Sequence, residues 1–160
     1  MKRLLFIIPI SFCLALPACK KAAGPANLKS VQPNNNLDST VLMTATINGQ
    51  QWQADSAYGY YVQNSANDTS SKSLLITGTR NNSGSPTTIT FNIYNYTGPK
   101  TYSIDPPVNT AAYYVGNLRN FGGSGHITIS SDTAYALKGS YTFIAGADTI
   151  TSGVFNVALP

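Results

Sequence analysis

From residue 41 onward the chain alternates apolar and polar residues, and this period of two constrains its fold more than any other feature. The first run places apolar residues two apart, with threonines between some of them: Val41, Met43, Ala45 and Ile47. Successive strand residues point to opposite faces, so such a run predicts a strand with one buried face. Asn48-Gly49 follows directly and is typical of a two-residue hairpin turn, because both residues tolerate positive φ.

The same alternation returns along the chain, separated by turn residues. Trp52 lies on the strand that returns from this turn, and further strands are predicted over residues 58–63, 73–79, 87–96, 101–104, 111–115, 126–130, 135–145 and 150–159. Polar residues 64–72 are predicted to form a loop, and the glycine-rich residues 122–125 are predicted to precede the strand that begins at residue 126. Tyr135 is predicted to face inward, and the last strand is predicted to change phase at Gly153. No segment has a helical period, and glutamate, a good helix former, is absent. We predict an all-β fold, an antiparallel β-sandwich of roughly nine short strands whose large inward side chains fill the space between two sheets. A lipocalin-like β-barrel is the alternative.

The N-terminus has the layout of a secretory signal. Lys2 and Arg3 precede an apolar run over residues 4–16 that is too short to cross a bilayer as a helix. Ala18 directly before Cys19 then resembles the lipobox of bacterial lipoproteins. The resemblance implies cleavage before Cys19, lipid modification of its sulfur and a firm hold on the membrane by several acyl chains.

This anchor divides the chain into three predicted segments. Residues 1–18 form the signal peptide, and residues 41–160 form the all-β domain. Between them, residues 19–40 comprise the lipidated cysteine and a flexible tether that is rich in asparagine, proline and lysine. Cys13 lies in the removed peptide, so residues 19–160 have no cysteine pair for a disulfide.

Charge and side-chain chemistry argue against several functions. Residues 19–160 carry eight Lys and Arg against six Asp, so no basic patch supports nucleic-acid binding. His126 is the single histidine and has no acidic cluster or Gly-x-Ser-x-Gly motif to accompany it. We therefore predict that the protein is not an enzyme and has no metal and no cofactor.

Tyrosine is the one residue type whose placement suggests binding. Adjacent tyrosines in a strand point to opposite faces, so one ring of each pair should face solvent. Exposed tyrosines can stack on sugar rings and bond to their hydroxyls. The candidate glycan contacts are the two adjacent pairs Tyr60, Tyr61, Tyr113 and Tyr114. The single tryptophan, Trp52, follows the first hairpin and is predicted to lie in the core.

The order of motifs over residues 42–159 resembles a family of small β-rich lipoproteins common in Bacteroidota. The resemblance implies an exported β domain on a lipid anchor, and it supplies no catalytic residues. The motifs are Met43-Thr44-Ala45-Thr46-Ile47-Asn48-Gly49 with Trp52, Gly98-Pro99-Lys100-Thr101-Tyr102, Gly125-His126-Ile127-Thr128-Ile129, Gly139-Ser140-Tyr141-Thr142-Phe143 and Thr151-Ser152-Gly153-Val154-Phe155.

Five of the six aspartates precede Ser or Thr. Four of these pairs also carry a small or apolar third residue, which resembles the O-glycosylation signal of that phylum. The candidate glycosylation sites are Ser39, Ser56, Thr133 and Thr149. Asp-Ser and Asp-Thr pairs also form local side-chain turns in hairpin-rich chains, and this is the alternative interpretation.

Together these features predict an envelope lipoprotein with a structural or protein-contact role. A glycan-binding module that uses exposed tyrosines is the alternative function. The predicted partners are the membrane, through the N-terminal lipid, and either another envelope protein or a polysaccharide. The predicted location is the outer membrane. Lys20-Lys21 after Cys19 lacks the acidic residues that resemble a surface-export signal, so the periplasmic face is slightly favoured over the cell surface.

Overall fold

The computed structural model describes residues 43–66 and 68–160, and the regular elements in these two ranges are all β-strands. The predicted signal peptide and tether lie outside the described residues, as do Cys19 and Ser39. The described residues contain no helix of the length and apolar character needed to span a bilayer. The strands are β1 Met43–Ile47, β2 Gln50–Gln53, β3 Ser56–Ser65, β4 Asp68–Arg80, β5 Thr87–Ile93, β6 Thr101–Ile104, β7 Asn109–Val115, β8 Leu118–Asp132, β9 Ala136–Ala145 and β10 Asp148–Ala158.

The ten strands pair as two antiparallel layers. One layer has six strands in the order β2-β1-β10-β9-β8-β6. The other has four strands in the order β3-β4-β5-β7. The layers are joined where the start of β8 pairs with β7, and where Ala158 and Tyr58 form a single parallel pair. The all-β sandwich predicted from the sequence is confirmed, with ten strands.

Alternate residues of both layers face one shared core. Phe91 of β5 packs against two rings of β9, with centroid distances of 4.9 Å to Tyr141 and 5.5 Å to Phe143. Trp52 is buried as predicted, and its indole Nε1 donates a 2.8 Å hydrogen bond to the hydroxyl of Thr87. These contacts connect β5 with the opposite layer, so the core holds the two sheets together.

The hairpin at Asn48-Gly49 is confirmed. Both residues have positive φ, 49° and 82°, and they connect β1 to β2. The predicted phase change before Gly153 is also confirmed, because the pairing of β10 with β9 shifts between Ile150 and Gly153. Ile150, Phe155 and Val157 consequently all face the core despite their odd spacing.

The glycine run over residues 122–125 was predicted to precede a strand, and this prediction is wrong. The run lies inside β8, where the register with β9 shifts between Gly122 and Ser124. Here β8 leaves β7 and joins β9 and β6, so the strand passes from one layer to the other. Gly125 has a φ of 149°, and a Cβ there would lie 2.5 Å from the Cα of Phe143, so the crossing requires glycine.

Two further predictions are corrected by the structure. The polar segment 64–72 was interpreted as a loop, but β3 and β4 extend into it. Its side chains bond to one another, as in the 2.6 Å contact between the Ser73 hydroxyl and Asn64 Oδ1. Tyr135 was placed on the buried face of β9, yet it lies in the preceding turn and is largely exposed. The Thr133 hydroxyl donates to the carbonyl of Ala136 and closes that turn.

Candidate functional site

An open concavity adjoins β3. It is an open groove of about 570 Å³, and we call it the β3 groove. Strands β3 and β4, the end of β8 and the end of the chain form its walls. The lining residues are Tyr60, Tyr61, Lys72, Asp132, Thr133, Ala134, Leu159 and Pro160. Its size lies within the range of about 300–1,000 Å³ typical of small-molecule sites.

The carboxylate of Asp132 organises the inner wall of the groove. The Tyr61 hydroxyl donates a 2.7 Å hydrogen bond to its Oδ1, and the Tyr96 hydroxyl donates a 2.8 Å bond to its Oδ2. The two tyrosine rings also contact each other, with their centroids 5.8 Å apart. Tyr61, which lines the groove, is therefore fixed both at its hydroxyl and along its side by the buried Tyr96.

A cation completes this cluster. The ammonium group of Lys72 lies 3.8 Å from the centroid of the Tyr61 ring and 5.7 Å from that of Tyr96. Such a position above an aromatic face is favourable for a cation. The groove thus brings a positive donor, a negative acceptor and an aromatic surface into one open space.

Burial raises the pKa of the Tyr61 and Tyr96 hydroxyls, and their hydrogen bonds to Asp132 raise it further. Burial also raises the pKa of Tyr141. In the unfolded chain these phenols ionise near pH 10, whereas the folded protein still holds their protons. Stability from this source is complete below about pH 10 and declines as the pH rises further.

We therefore expect the free energy of unfolding to fall between about pH 10 and pH 12. Urea unfolding at several pH values in this interval measures the slope. Replacing Tyr96 with phenylalanine removes one of the phenols and should make the slope shallower. A constant free energy across the interval would contradict the expectation.

The two tyrosine pairs predicted from the sequence have different positions. Tyr60 and Tyr61 line the β3 groove. Tyr113 is only 8% exposed and belongs to the core, so it offers no surface to a sugar. Tyr114 is half-buried, and the Arg119 guanidinium lies 5.3 Å from its ring centroid. One ring of this pair faces inward and the other outward, as the strand period requires.

The tyrosine pairs are also too far apart to contact one small ligand. Tyr61 aligns with Asn109 through β4 and β5, and Tyr114 lies five residues further along β7. Three strand spacings and five residues correspond to roughly 20 Å. The groove therefore includes Tyr60 and Tyr61 and excludes the second pair.

Sequence analysis did not identify Lys72, Tyr96 or Asp132 as site residues. Asp132 lies 71 residues from Tyr61 and 36 from Tyr96 in the sequence. A local sequence pattern cannot indicate contacts between residues so far apart. The pair Tyr60-Tyr61 indicated this surface in the sequence, because two adjacent tyrosines in a strand present their rings on opposite faces.

The described glycosylation candidates Ser56, Thr133 and Thr149 are all exposed. The aspartates before Thr133 and Thr149 have structural partners. Asp132 accepts two tyrosine hydroxyls, and Asp148 accepts the side-chain amides of Asn48 and Asn120 at 2.7 and 3.0 Å. These bonds give the aspartates a role in the fold, while glycosylation of the hydroxyls stays a prediction.

A second, more polar groove of about 470 Å³ lies beside β2. It is lined by Thr44, Gln51, Trp52, Gln53, Asp55 and Arg80. Trp52 is buried here, and Asp55 already accepts the backbone N–H of Asn81 at 2.6 Å. This groove has no exposed aromatic surface, so the β3 groove is the better candidate for ligand binding.

Metal chemistry has no support among the described residues, where no three His, Cys, Asp or Glu side chains converge on a point that a metal ion would occupy. His126 is exposed on β8. Comparisons with known protein families, with curated proteins and with solved structures find no match to this chain.

Proposed function

We propose that this chain is an exported, lipid-anchored envelope protein whose β domain binds a glycan in the β3 groove. The observation that carries the proposal is the convergence of two tyrosines, a lysine and an aspartate around one open groove. The anchor and the outer-membrane location rest on the lipobox resemblance at Cys19. Lys20-Lys21 after this cysteine favours the periplasmic face.

The groove has the two kinds of contact that sugars need. The C–H faces of a sugar ring pack on aromatic rings, and Tyr60 and Tyr61 supply these. Sugar hydroxyls both donate and accept hydrogen bonds, and Asp132 and Lys72 supply a charged acceptor and a charged donor. Because Asp132 already fixes the Tyr61 ring, little side-chain entropy would be lost on binding.

Native electrophoresis through gels that contain a polysaccharide tests the proposal. We expect the full chain, in mild detergent, to be retarded by at least one of dextran, yeast mannan, xylan and β-glucan. Changing Tyr60 to alanine should weaken retardation about tenfold, the effect of losing a well-packed ring contact. Tyr60 is the better residue to replace, because replacing Tyr61 would also remove its hydrogen bond to Asp132.

Tyr94→Ala is the matched control, since Tyr94 is 48% exposed and lies outside the groove lining. This variant should bind like the unchanged protein. If the unchanged protein migrates freely through every gel, the proposed glycan binding is wrong. If Tyr60→Ala and Tyr94→Ala lose the same degree of retardation, the glycan does not bind in the β3 groove.

Protein contact through β3 is the second candidate function. This ten-residue strand carries no charge and no proline. It pairs along its length with β4 but meets β10 at only one residue. An uncharged strand whose second edge pairs with one residue among those described can accept a strand from another protein. If no polysaccharide retards the chain, protein contact through β3 becomes the favoured function.

A further inference from the structure

The aromatic surface at the groove continues onto the outer face of the four-stranded layer. Tyr58 and Tyr60 lie two residues apart on β3 and so share that face. Their ring centroids are 6.0 Å apart, and the ring planes differ by only 25°. Tyr58 is 50% exposed, so its ring is accessible to a ligand that reaches beyond the groove.

Tyr60 belongs to both surfaces, because it stacks with Tyr58 and also lines the groove beside Tyr61. The rings therefore form a line from the outer face across β3 into the groove, in the order Tyr58, Tyr60 and Tyr61. A single sugar ring would cover only one end of this line. A chain of linked sugars would cover all of it.

We propose that this line of tyrosines binds consecutive sugars of a polysaccharide, with one sugar in the β3 groove and the next on Tyr58. The inference rests on the proposed function and narrows the ligand from any glycan to an extended chain. Tyr58 then acts as an outer subsite, which short oligosaccharides held in the groove do not reach.

The surroundings of Tyr58 favour a neutral chain. Thr77 of β4 lies opposite Tyr58, and Thr90 of β5 lies opposite Thr77. Both threonines are half-buried on the same outer face. Hydroxyl groups of this kind bond to sugar hydroxyls without requiring a charge on the ligand. The charged groups Lys72 and Asp132 lie instead at the groove end of the line.

The dependence of affinity on chain length tests this inference. The probes are oligosaccharides of two to six sugars prepared from whichever of the four gel polysaccharides retards the full chain, and titration calorimetry measures their binding. Affinity of the unchanged protein should rise with length. Tyr58→Ala should lower affinity for the longest probes about two- to tenfold, the effect of losing one ring contact, and leave the shortest unchanged.

Tyr60→Ala should weaken the binding of every probe in the series, because Tyr60 lies where the outer face meets the β3 groove. Tyr94→Ala removes a tyrosine that is as exposed as Tyr58 but lies outside the groove lining, and it should not weaken the binding of any probe. A Tyr58→Ala variant that binds all lengths normally, or that loses the same factor at every length, would overturn the inference while leaving glycan binding in place. Failure of every polysaccharide to bind the unchanged chain would overturn the proposed function itself.

Discussion

Replacing Cys19 with alanine is expected to release the protein from the membrane. Cys19 carries the sulfur to which the lipid would be attached, so the variant offers no site for acylation. Several acyl chains hold a protein firmly at a bilayer, and the variant would lack them. We expect nearly all of the unchanged protein in the membrane pellet and the detergent phase, and the variant in the aqueous phase.

Cys13→Ala is the matched control because Cys13 lies in the peptide that the lipobox resemblance assigns to removal. This variant should be processed and anchored normally. Mass spectrometry of the N-terminal peptide should show an acylated Cys19 in the unchanged protein and in the control. If Cys19→Ala stays in the membrane pellet to the same extent as the control, the anchor assignment is wrong.

Replacing Phe91 with alanine is expected to cost more stability than any surface change. Phe91 is 2% exposed and contacts the rings of Tyr141 and Phe143 across the core. Removing a buried phenylalanine costs about 3–5 kcal/mol, because both apolar burial and packing are lost. Domains of this size are stable by only about 5–15 kcal/mol. Urea unfolding followed by the fluorescence of Trp52 measures the loss.

Phe121→Ala provides the same chemical change at the surface. Phe121 is 55% exposed, and the Arg119 guanidinium lies 4.0 Å from its ring centroid. We expect a loss of about 1 kcal/mol or less from this variant. Equal losses in the two variants would show that the contacts of Phe91 across the core do not hold the sheets together.

The fold was predictable where structure depends on neighbouring residues. Alternation and the Asn48-Gly49 turn identified β1 and its hairpin because both follow from local backbone preferences. The odd spacing of Ile150 and Phe155 likewise indicated the shift in β10. These features need no knowledge of what lies across the sheet.

Prediction failed where a distant partner decides the structure. The glycine-rich residues 122–125 were predicted to connect strands, but β8 needs them to pass from one layer to the other. Polar residues 64–72 looked like a loop, but bonds between their side chains stabilise a long hairpin. In each case tertiary contacts override the local preference of the residues.

The candidate site was predictable only in part for the same reason. The pair Tyr60-Tyr61 is visible in the sequence, and the structure places both residues in the β3 groove. Asp132 looked like an ordinary turn residue, since Asp before Thr commonly forms one. Its contacts with Tyr61 and Tyr96 arise only when the end of β8 reaches β3.

The pairing of the first strand with the last one affects when the chain can finish folding. β1 lies between β2 and β10, and the Asn48 amide bonds to Asp148, 100 residues further on. Closing so long a loop is slow and requires both ends to be present. A chain that leaves a membrane N-terminus first exposes β1 well before β10 follows. In the export that we propose, the six-stranded layer can therefore be completed only after the C-terminus has emerged, and we expect the domain to acquire its native structure on the far side.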